Sequence, residues 1–517
     1  MADWRRDSIQ IMKVYDSIVV GSGITGLTAA RILAQHGKRV LLLEKASILG
    51  GSLARFRVEG IPFDVGFHFT GGFTDDRNGA LDEILNLLGV RDRIHPIYFP
   101  RDACHKMIFP SAGLEYTIPC GTEIVHEKLK RDFPKYRNGL DRYFQRFHAV
   151  IEATPTLSVS GFDSFPPPIE EDRVTLQAVL DECTPDRILQ TILGGLCMCY
   201  GTRPDEVSFS THCRVSFGLH ESLARVEDGG DAFVDALVDV LRSDNVDIRT
   251  RCTIQQCTDV AERKVGRFVL SDGSEVSAGS CIFTMHPNSI LSVLPKEHLS
   301  KAFQSRVGDF EASNSFFTVY GSLDGPSVGG ACTLASILPD ADLNTMLTCQ
   351  SSEPVDGAMM VLRSREKGSD GPVNTVTALE VAFPESTQQW AQSKLKRRPP
   401  EYYEYKRQRA ESVVGRMRQH ILECRDVRVI DSASSLTYRD YLHNPDGSAY
   451  GIRQKIGQFN LAGRLPISNL YAAGQSALLP GVIGAMTSAF FVCRGILGRD
   501  VFREYLAGRS CCTTTAR

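Results

Sequence analysis

A glycine-rich turn near the N-terminus, G-x-G-x-x-G over residues 21–26, lies between two short apolar runs. The run before it, residues 16–20, is rich in β-branched side chains and is typical of a buried parallel strand. The spacing of apolar residues predicts a helix over 24–36 and a second strand over 39–43. Because strand, turn, helix and strand follow one another in register, this stretch predicts a βαβ unit that binds a dinucleotide.

The three glycines of the turn have different physical roles. Gly21 makes the tight turn, Gly23 allows the backbone to approach a pyrophosphate, and Gly26 allows the helix to pack closely on the strand. The start of the helix offers free N–H groups and the positive end of the helix dipole to phosphates. The predicted contacts to the dinucleotide in this unit are Gly21, Ser22, Gly23, Ile24, Thr25 and Gly26.

Glu44 ends the second predicted strand, where an acidic side chain accepts hydrogen bonds from the ribose hydroxyls of an adenine nucleotide. A carboxylate at this place repels the 2′-phosphate of NADP, so the pattern leaves FAD or NAD as the cofactor. Lys45 is expected at the surface beside this site, and Ile254 ends a later predicted strand. The other predicted cofactor contacts in these parts of the chain are Lys45, Gly50, Gly51, Ser52 and Ile254.

A second glycine-rich stretch lies near the C-terminus, where NLYAAGQ at 469–475 is followed by PGVIGAM at 480–486. It resembles the closing flavin motif of the FAD-dependent amine oxidase and phytoene desaturase superfamily, whose members also begin with a nucleotide-binding unit. Three middle segments, 64–68, 316–324 and 437–451, resemble the retinol saturase and carotenoid isomerase branch of that superfamily. The resemblance therefore spans nearly the whole chain.

The resemblance implies an α/β fold in which a Rossmann-type FAD-binding domain is interleaved with a substrate domain made of a mixed sheet and helices. The FAD-binding domain is expected over 14–100, 225–300 and 441–505, and the substrate domain over 101–224 and 301–440. At the closing motif, the start of a helix is expected to face the flavin. The flavin contacts that the resemblance implies here are Gly474, Gln475, Gly481, Val482, Gly484 and Ala485.

His68 is the candidate catalytic residue. A lone histidine among apolar residues is more often part of the core, but its place in the DVGFH segment favours a position near the flavin. Its ordinary pKa of about 6.5 permits both protonation states, so we expect it to donate a proton or to position the substrate. Tyr438, Arg439, Tyr441 and Tyr450 are candidate substrate contacts, although a hydrogen-bonded strand edge explains them equally well.

The sequence contains no second G-x-G-x-x-G unit, so it gives no sign of a separate NADPH domain. An FAD enzyme of this kind takes electrons from its substrate, from a quinone or from another carrier. A helix-rich cover with few charged motifs predicts a hydrophobic tunnel without ionic anchors, in which each buried methylene contributes about 0.8 kcal/mol of affinity. The leading hypothesis is an FAD-dependent oxidoreductase that saturates, desaturates or isomerises carbon–carbon double bonds of a lipophilic isoprenoid or polyene.

Two other functions stay open. An amine oxidase shares the fold but normally surrounds its flavin with an aromatic cage and a nearby lysine, and no such constellation can be identified in this sequence. A non-catalytic prenyl-binding escort protein shares the scaffold without flavin chemistry. The intact glycines of the turn at 21–26, together with Gly474 and Gln475, argue against such an emptied site.

Charge and cysteine usage restrict the partners. The chain has 58 Lys and Arg against 61 Asp and Glu, a net charge of −3, so nothing indicates a nucleic-acid partner. Its 15 cysteines are scattered, and the close pairs Cys197/Cys199 and Cys511/Cys512 lack the spacing of a metal site. We interpret the cysteines as mostly buried small hydrophobic residues in a reducing compartment.

The sequence also bears on membrane contact. Residues 1–12 lack the apolar core of a signal peptide. Residues 465–493 carry no charge and could span a bilayer, but glycines and a proline favour a strand, a loop and a buried helix. The basic run 394–398 is expected to be a solvated helix entry, or else a patch for anionic lipid. We expect a cytoplasmic protein, or one bound peripherally to a membrane that faces a reducing compartment.

Overall fold

The computed structural model describes residues 12–323, 332–348, 356–445, 447–458 and 460–510. Residues 1–11, Asp324 of the 316–324 motif, Asp446 of the 437–451 motif and the pair Cys511/Cys512 lie outside the described residues. The strands in chain order are β1 (Lys13–Val20), β2 (Val40–Leu43), β3 (Arg55–Val58), β4 (Ile61–Asp64), β5 (Pro96–Tyr98), β6 (His105–Phe109), β7 (Leu114–Ile118), β8 (Ala224–Val226), β9 (Asp247–Arg249), β10 (Ile254–Ala261), β11 (Lys264–Leu270), β12 (Glu275–Phe283), β13 (Ser315–Leu323), β14 (Cys332–Ile337), β15 (Met359–Gly368), β16 (Gly371–Ala382), β17 (Val427–Ala433), β18 (Gly463–Arg464) and β19 (Leu470–Ala472).

The helices are interspersed with these strands along the chain. In chain order they are α1 (Ile24–Gln35), α2 (Ala80–Leu88), α3 (Thr122–Asp132), α4 (Arg137–Glu152), α5 (Leu176–Cys183), α6 (Arg187–Gly194), α7 (Phe209–Glu221), α8 (Gly229–Ser243), α9 (Pro287–Val293), α10 (Lys301–Gly308), α11 (Leu343–Met346), α12 (Pro400–His420), α13 (Ser435–Leu442), α14 (Gly481–Leu497) and α15 (Arg499–Ser510).

The first sheet carries the predicted nucleotide unit. Its strand order is β10-β11-β12-β1-β2-β9, with β19 beside β12 and β18 beside β19. Strand β1 pairs in parallel with β2 and with β12, and β19 also runs parallel to β12. A parallel pair needs a crossover, and α1 supplies it between β1 and β2. Because β19 joins this sheet, the C-terminal closing motif comes to lie next to the N-terminal turn.

The second sheet has the order β17-β13-β16-β15-β14-β6-β7 and is antiparallel except for the β14–β6 pair. Side chains alternate between its two faces, so Phe316 and Tyr320 pack with the helices α3 to α7. Phe317 and Val319 point the other way and pack against Met417 of α12. The chain is thus an α/β protein with a Rossmann-like sheet and a mixed second sheet, and the predicted fold class is confirmed. The domain boundaries at 100, 224, 300 and 440 stay a prediction.

Helix α12 begins at Pro400, where a missing N–H costs nothing, and it ends at His420. Sequence spacing places Leu422 on its apolar stripe, but the helix has ended there and this side chain is 64% exposed. In the basic run just before α12, Lys394, Lys396 and Arg397 are exposed, as a solvated helix entry requires. Arg398 at its end is buried, forms an ion pair with Asp440 and lies over the ring of Tyr402.

The structure also tests the expectations for residues 435–442, for the uncharged stretch 465–493 and for the cysteines. Residues 435–442 form the helix α13, so the strand edge that could have explained Tyr438 and Tyr441 is wrong. The uncharged stretch 465–493 contains β19 and the start of α14, and no helix in the described parts of the chain is long and apolar enough to cross a membrane. Cys104 and Cys120 are disulfide-bonded, unlike the free thiols expected, whereas the unpaired described cysteines are buried except for the half-buried Cys199.

Candidate active site

A cavity of about 1710 Å³ lies where the Rossmann-like sheet, the second sheet and the helix α7 meet. Its wall takes residues from the turn after β1, from the segment after β2, from α13 and from the start of α14. The predicted site residues that line this cavity are Gly21, Ser22, Gly23, Ile24, Thr25, Glu44, Lys45, Gly50, Gly51, Ser52, His68, Ile254, Gly474, Gln475, Gly481, Val482, Gly484 and Ala485.

Gly26 is the predicted contact that does not line the cavity, and its geometry explains why. A Cβ atom on Gly26 would lie 1.8 Å from the carbonyl oxygen of Gly21, so Gly26 is required for packing of α1 on the turn. Gly21 itself has φ +105°, a left-handed value that favours glycine. A Cβ on Gly23 would meet no atom within 4 Å, because this residue faces open cavity. The backbone at Gly23 is therefore free to approach a ligand.

Glu44 is buried at the edge of the same cavity and is held by local hydrogen bonds. Its Oε2 accepts from the backbone N–H of Ser22 at 2.9 Å and from the Ser22 hydroxyl at 2.6 Å. Its Oε1 accepts from the N–H of Ala46 at 2.7 Å, and the Ser22 hydroxyl in turn accepts from the N–H of Gly50 at 3.1 Å. Ser22 thus fixes the carboxylate, whose remaining lone pairs can accept ribose hydroxyls. Lys45 beside it is exposed.

The start of α14 meets the start of α1 at the cavity. The Thr25 hydroxyl donates to the carbonyl of Ala485 at 3.1 Å, and the N–H of Gly474 donates to the Ser488 hydroxyl at 2.8 Å. Gly481 has φ +83°, and a Cβ atom at this position would meet no atom within 4 Å, so the residue opens to the cavity. Two helix N-termini, each a source of unpaired N–H groups, therefore face one space.

These donors fit a dinucleotide cofactor. A Cβ on Gly51 would lie 3.3 Å from the Cα of Gly23, so two stretches of bare backbone form the sides of a narrow groove. Backbone N–H groups and helix N-termini suit a pyrophosphate, and the carboxylate of Glu44 suits a ribose. The described residues contain no cluster of His, Cys, Asp and Glu that could hold a metal ion.

His68 lies in the cavity wall with its side chain almost fully buried. Neither ring nitrogen has a hydrogen-bond partner among the residues that the structure describes. Burial lowers the pKa of His68 to about 4, and the nearby Asp64 carboxylate raises it by less than burial lowers it. The imidazole is therefore neutral at pH 7, and the expectation that both protonation states are available there is wrong.

A buried network of ion pairs contacts the backbone of His68. It was not predicted from the sequence. Arg225 donates to the carbonyl oxygen of His68 at 3.1 Å and to Glu366 at 2.6 and 3.1 Å, and it also pairs with Asp64. Arg55 completes the ring by pairing with Asp64 at 2.9 Å and with Glu366. All four side chains are at most 5% exposed. Because they come from β3, β4, β8 and β15, only the fold brings them together.

The four candidate substrate contacts divide into two groups. Tyr438, Tyr441 and Tyr450 line the cavity, whereas Arg439 turns away and donates to the carbonyl of Ala391 at 2.6 Å. The Tyr438 hydroxyl lies 2.7 Å from that of Thr318, and burial raises the pKa of Tyr438 to about 12. Tyr438 is thus a protonated, oriented hydroxyl at the edge of an aromatic wall.

Comparison with known proteins shows which proteins the chain is similar to. It is 24% identical over 534 residues to the all-trans-retinol 13,14-reductase of Danio rerio, covering 95% of this chain and 87% of that protein. A chloroplastic prolycopene isomerase of an Oncidium hybrid cultivar is 55% identical over 150 residues, which are 29% of this chain and 25% of the isomerase. The chain fits the retinol saturase and carotenoid isomerase branch of the FAD-dependent amine oxidase superfamily.

Two further comparisons concern the fold. Residues 19–86 match the family model of the NAD(P)-binding Rossmann-like domain. A solved putrescine oxidase with a redesigned cofactor-binding site superimposes with a TM-score of 0.64 at 15% identity, over 94% of this chain and 99% of that one. At this identity the likeness concerns the fold alone, which the retinol saturase and carotenoid isomerase branch shares with amine oxidases.

Proposed function

We propose that this chain is an FAD-dependent oxidoreductase or isomerase that acts on carbon–carbon double bonds of a lipophilic isoprenoid or polyene. The observation that carries the proposal is one continuous cavity with a dinucleotide cradle on one side and aromatic and apolar residues on the other. Its volume of about 1710 Å³ exceeds the roughly 300–1,000 Å³ of ordinary ligand pockets, so a second ligand fits beside a cofactor. The names of the relatives, a retinol reductase and a prolycopene isomerase, point to the same substrate class.

We assign FAD rather than NAD because the cavity continues past the N-terminal cradle to the start of α14. The adenosine and pyrophosphate half would be held by the turn at 21–25, by Glu44 and by the segment 50–52. The flavin half would be held by Gly474, Gln475 and the first turn of α14. When bound, FAD supplies hydride exchange with a carbon–carbon double bond.

The residues of this chain supply position and proton control. Neutral His68 cannot supply an acidic proton at pH 7, but one of its unpaired ring nitrogens carries an N–H and the other a lone pair, so the ring can donate or accept a hydrogen bond and hold the substrate in place. Tyr438 keeps its proton and lines the cavity, with its hydroxyl held by Thr318. The aromatic wall formed with Phe316 and Tyr320 excludes water from the reacting carbons.

The cavity rim supports peripheral membrane contact as part of the proposal. Ile48, Phe165 and Tyr441 line the cavity and are also 58%, 54% and 54% exposed. Large apolar side chains at the mouth of a cavity suit delivery of a substrate from lipid. A quinone or another lipophilic carrier could exchange electrons by the same route.

The test uses purified protein that is chemically reduced and kept anaerobic. It is expected to be yellow when oxidised, to release its flavin on acid precipitation, and to convert retinol or a carotenoid to a saturated or isomerised product. Turnover of amines by the oxidised protein, with every polyene left unchanged, would replace this proposal with the amine oxidase function. Colourless protein that still bound prenyl groups would favour the escort function instead.

A further inference from the structure

A charged pair, Asp172 and Arg214, lies in the wall of the cavity on the side of α7. Its side chains are 29% and 14% exposed, and the atoms join at 2.7 Å between Arg214 Nη1 and an Asp172 carboxylate oxygen. The sequence predicted a hydrophobic tunnel without ionic anchors. Because this charged pair lines the cavity, that expectation is wrong. The polar residues that line the cavity around the pair are Thr154, Thr156, Ser208 and Thr211.

The pair is held in one orientation by its neighbours. Arg214 Nε donates to the hydroxyl of Thr154 at 3.2 Å, and its Nη1 lies 3.4 Å from the hydroxyl of Ser210. The carboxylate of Asp172 accepts from Ser210 at 2.5 Å and from the N–H of Ile169 at 2.9 Å. Arg214 Nη2 has no partner within the described parts of the chain, so it is left as a fixed donor.

The helix α7 places this donor relative to the cofactor cradle. Gly218 of α7 packs on Gly71, where a Cβ atom would lie 2.0 Å from the Gly218 carbonyl oxygen. A Cβ on Gly218 would in turn lie 3.9 Å from Ile483 in the first turn of α14. Arg214 precedes Gly218 by about one helical turn, roughly 6 Å along the axis. Arg214 therefore lies about one turn along α7 from the contact between this helix and α14.

The balance of charge determines which ligand group suits this donor. Asp172 compensates the charge of Arg214 through Nη1, while Nη2 has no partner among the described residues. A neutral acceptor such as a ligand hydroxyl can accept a hydrogen bond from Nη2 without being repelled by the Asp172 carboxylate. A ligand carboxylate binds there less favourably, because the neighbouring Asp172 carboxylate repels it.

We propose that the Asp172–Arg214 pair is a specificity subsite that receives the hydroxyl end of a polyene or isoprenoid alcohol. This inference rests on the proposed function and narrows its substrate class. It selects an alcohol over a hydrocarbon of equal length, and over the corresponding carboxylic acid.

The test compares three all-trans polyenes of one chain length that end in a hydroxyl, a methyl or a carboxylate group. Their dissociation constants with the oxidised holoenzyme are measured by fluorescence quenching, and their turnover is measured with the reduced holoenzyme. The wild type is expected to bind the alcohol about tenfold more tightly than the hydrocarbon, as one hydrogen bond to a charged donor implies. In Arg214→Leu this ratio is expected to fall to near one.

A ratio measured within each variant is insensitive to a general loss of folded protein. Arg146→Leu is the matched control, because Arg146 pairs with Glu171 and Glu182 close by and does not line the cavity. It is expected to keep the wild-type ratio. Asp172→Asn, which leaves Arg214 uncompensated, is expected to shift the preference toward the carboxylate by several fold.

The outcomes separate this inference from the proposed function. Polyenes that are converted with no preference for the alcohol, or with an unchanged preference in Arg214→Leu, would overturn the subsite and leave the proposed function standing. Failure of the wild type to bind or convert any of the three polyenes would overturn both.

Discussion

The hydroxyl of Thr25 donates to the carbonyl of Ala485 at 3.1 Å and joins the first turn of α1 to the second turn of α14. These two turns come from opposite ends of the chain, yet both line the cavity. The two sides of the proposed FAD site are thus fixed to each other by a contact that does not need the cofactor. Binding of FAD across them would add to the stability of the folded state through linkage.

Gly23→Asp is expected to abolish FAD binding. The new carboxylate would enter open cavity, since no atom lies within 4 Å of its Cβ position, and it would face the proposed pyrophosphate. The measurement is the ratio of flavin absorbance to protein absorbance after purification. Gly415→Asp is the matched control, because Gly415 also has no atom within 4 Å but lies exposed on α12. Full flavin content in Gly23→Asp would refute the assignment of the cradle.

Thr25→Val is expected to weaken FAD binding several fold and to lower the free energy of unfolding by about 1–2 kcal/mol. It removes the donor that reaches Ala485 and leaves that buried carbonyl with one partner fewer. Thr28→Val on the same helix is the control, since the Thr28 hydroxyl is buried with no partner among the described residues. Thermal unfolding with and without added FAD measures both effects. Equal losses in the two variants would contradict a specific role for Thr25.

His68→Ala is expected to keep the flavin spectrum and lose most turnover of a polyene. The pKa of His68 is lowered to about 4, so the ring stays neutral from pH 8 to 6 and wild-type activity is expected to stay constant over that range. As the pH approaches 4 the ring gains a proton, and activity is expected to fall. The pH profile of kcat/KM in the reduced, anaerobic enzyme measures this. His298→Gln, at an exposed histidine, is the control. A His68→Ala variant with the wild-type rate would return His68 to the role of an ordinary core residue.

Three buried histidines and the half-buried His220 are expected to make the fold sensitive to acid, because each is neutral in the folded state. Burial lowers the pKa to about 4 for His68, His105 and His220 and to about 3 for His212. In the unfolded chain these histidines have a pKa of about 6.5, so they bind protons there at a higher pH than in the folded protein. Their contribution to the free energy of unfolding is therefore fully present above about pH 6.5 and is lost as the pH falls toward 4. Each histidine is worth on the order of 3 kcal/mol over this window. Urea unfolding between pH 7.5 and 4.5 measures the loss, and His105→Gln is expected to make the decline less steep.

The parts of the site that follow one another in sequence could be predicted from it. The turn at 21–26 and Glu44 form one βαβ unit, whose geometry is determined by local spacing. The charged contacts could not be predicted in the same way. Arg225 and Glu366 are separated by 141 positions, and Asp172 meets Arg214 only because a short turn packs on α7. Nothing in local periodicity encodes such pairs, since each depends on how whole elements are arranged.

Glu366→Gln tests the network that lies behind His68. It leaves Arg55 and Arg225 buried with one negative charge fewer, so it is expected to lower the free energy of unfolding by about 3–5 kcal/mol. Asp75→Asn is the control, because its pair with Arg101 is about two-thirds exposed on both sides and is worth at most about 1 kcal/mol.

The same substitution also tests whether the network positions His68, the proposed catalytic residue. Arg225 holds the carbonyl oxygen of His68 at 3.1 Å, so a displaced Arg225 is expected to shift the His68 backbone. Turnover of the fraction that remains folded is then expected to fall, with the flavin content per folded protein unchanged. Chemical denaturation and anaerobic turnover, each normalised to folded protein, measure the two effects separately. A destabilised Glu366→Gln variant with wild-type turnover would restrict the network to a structural role.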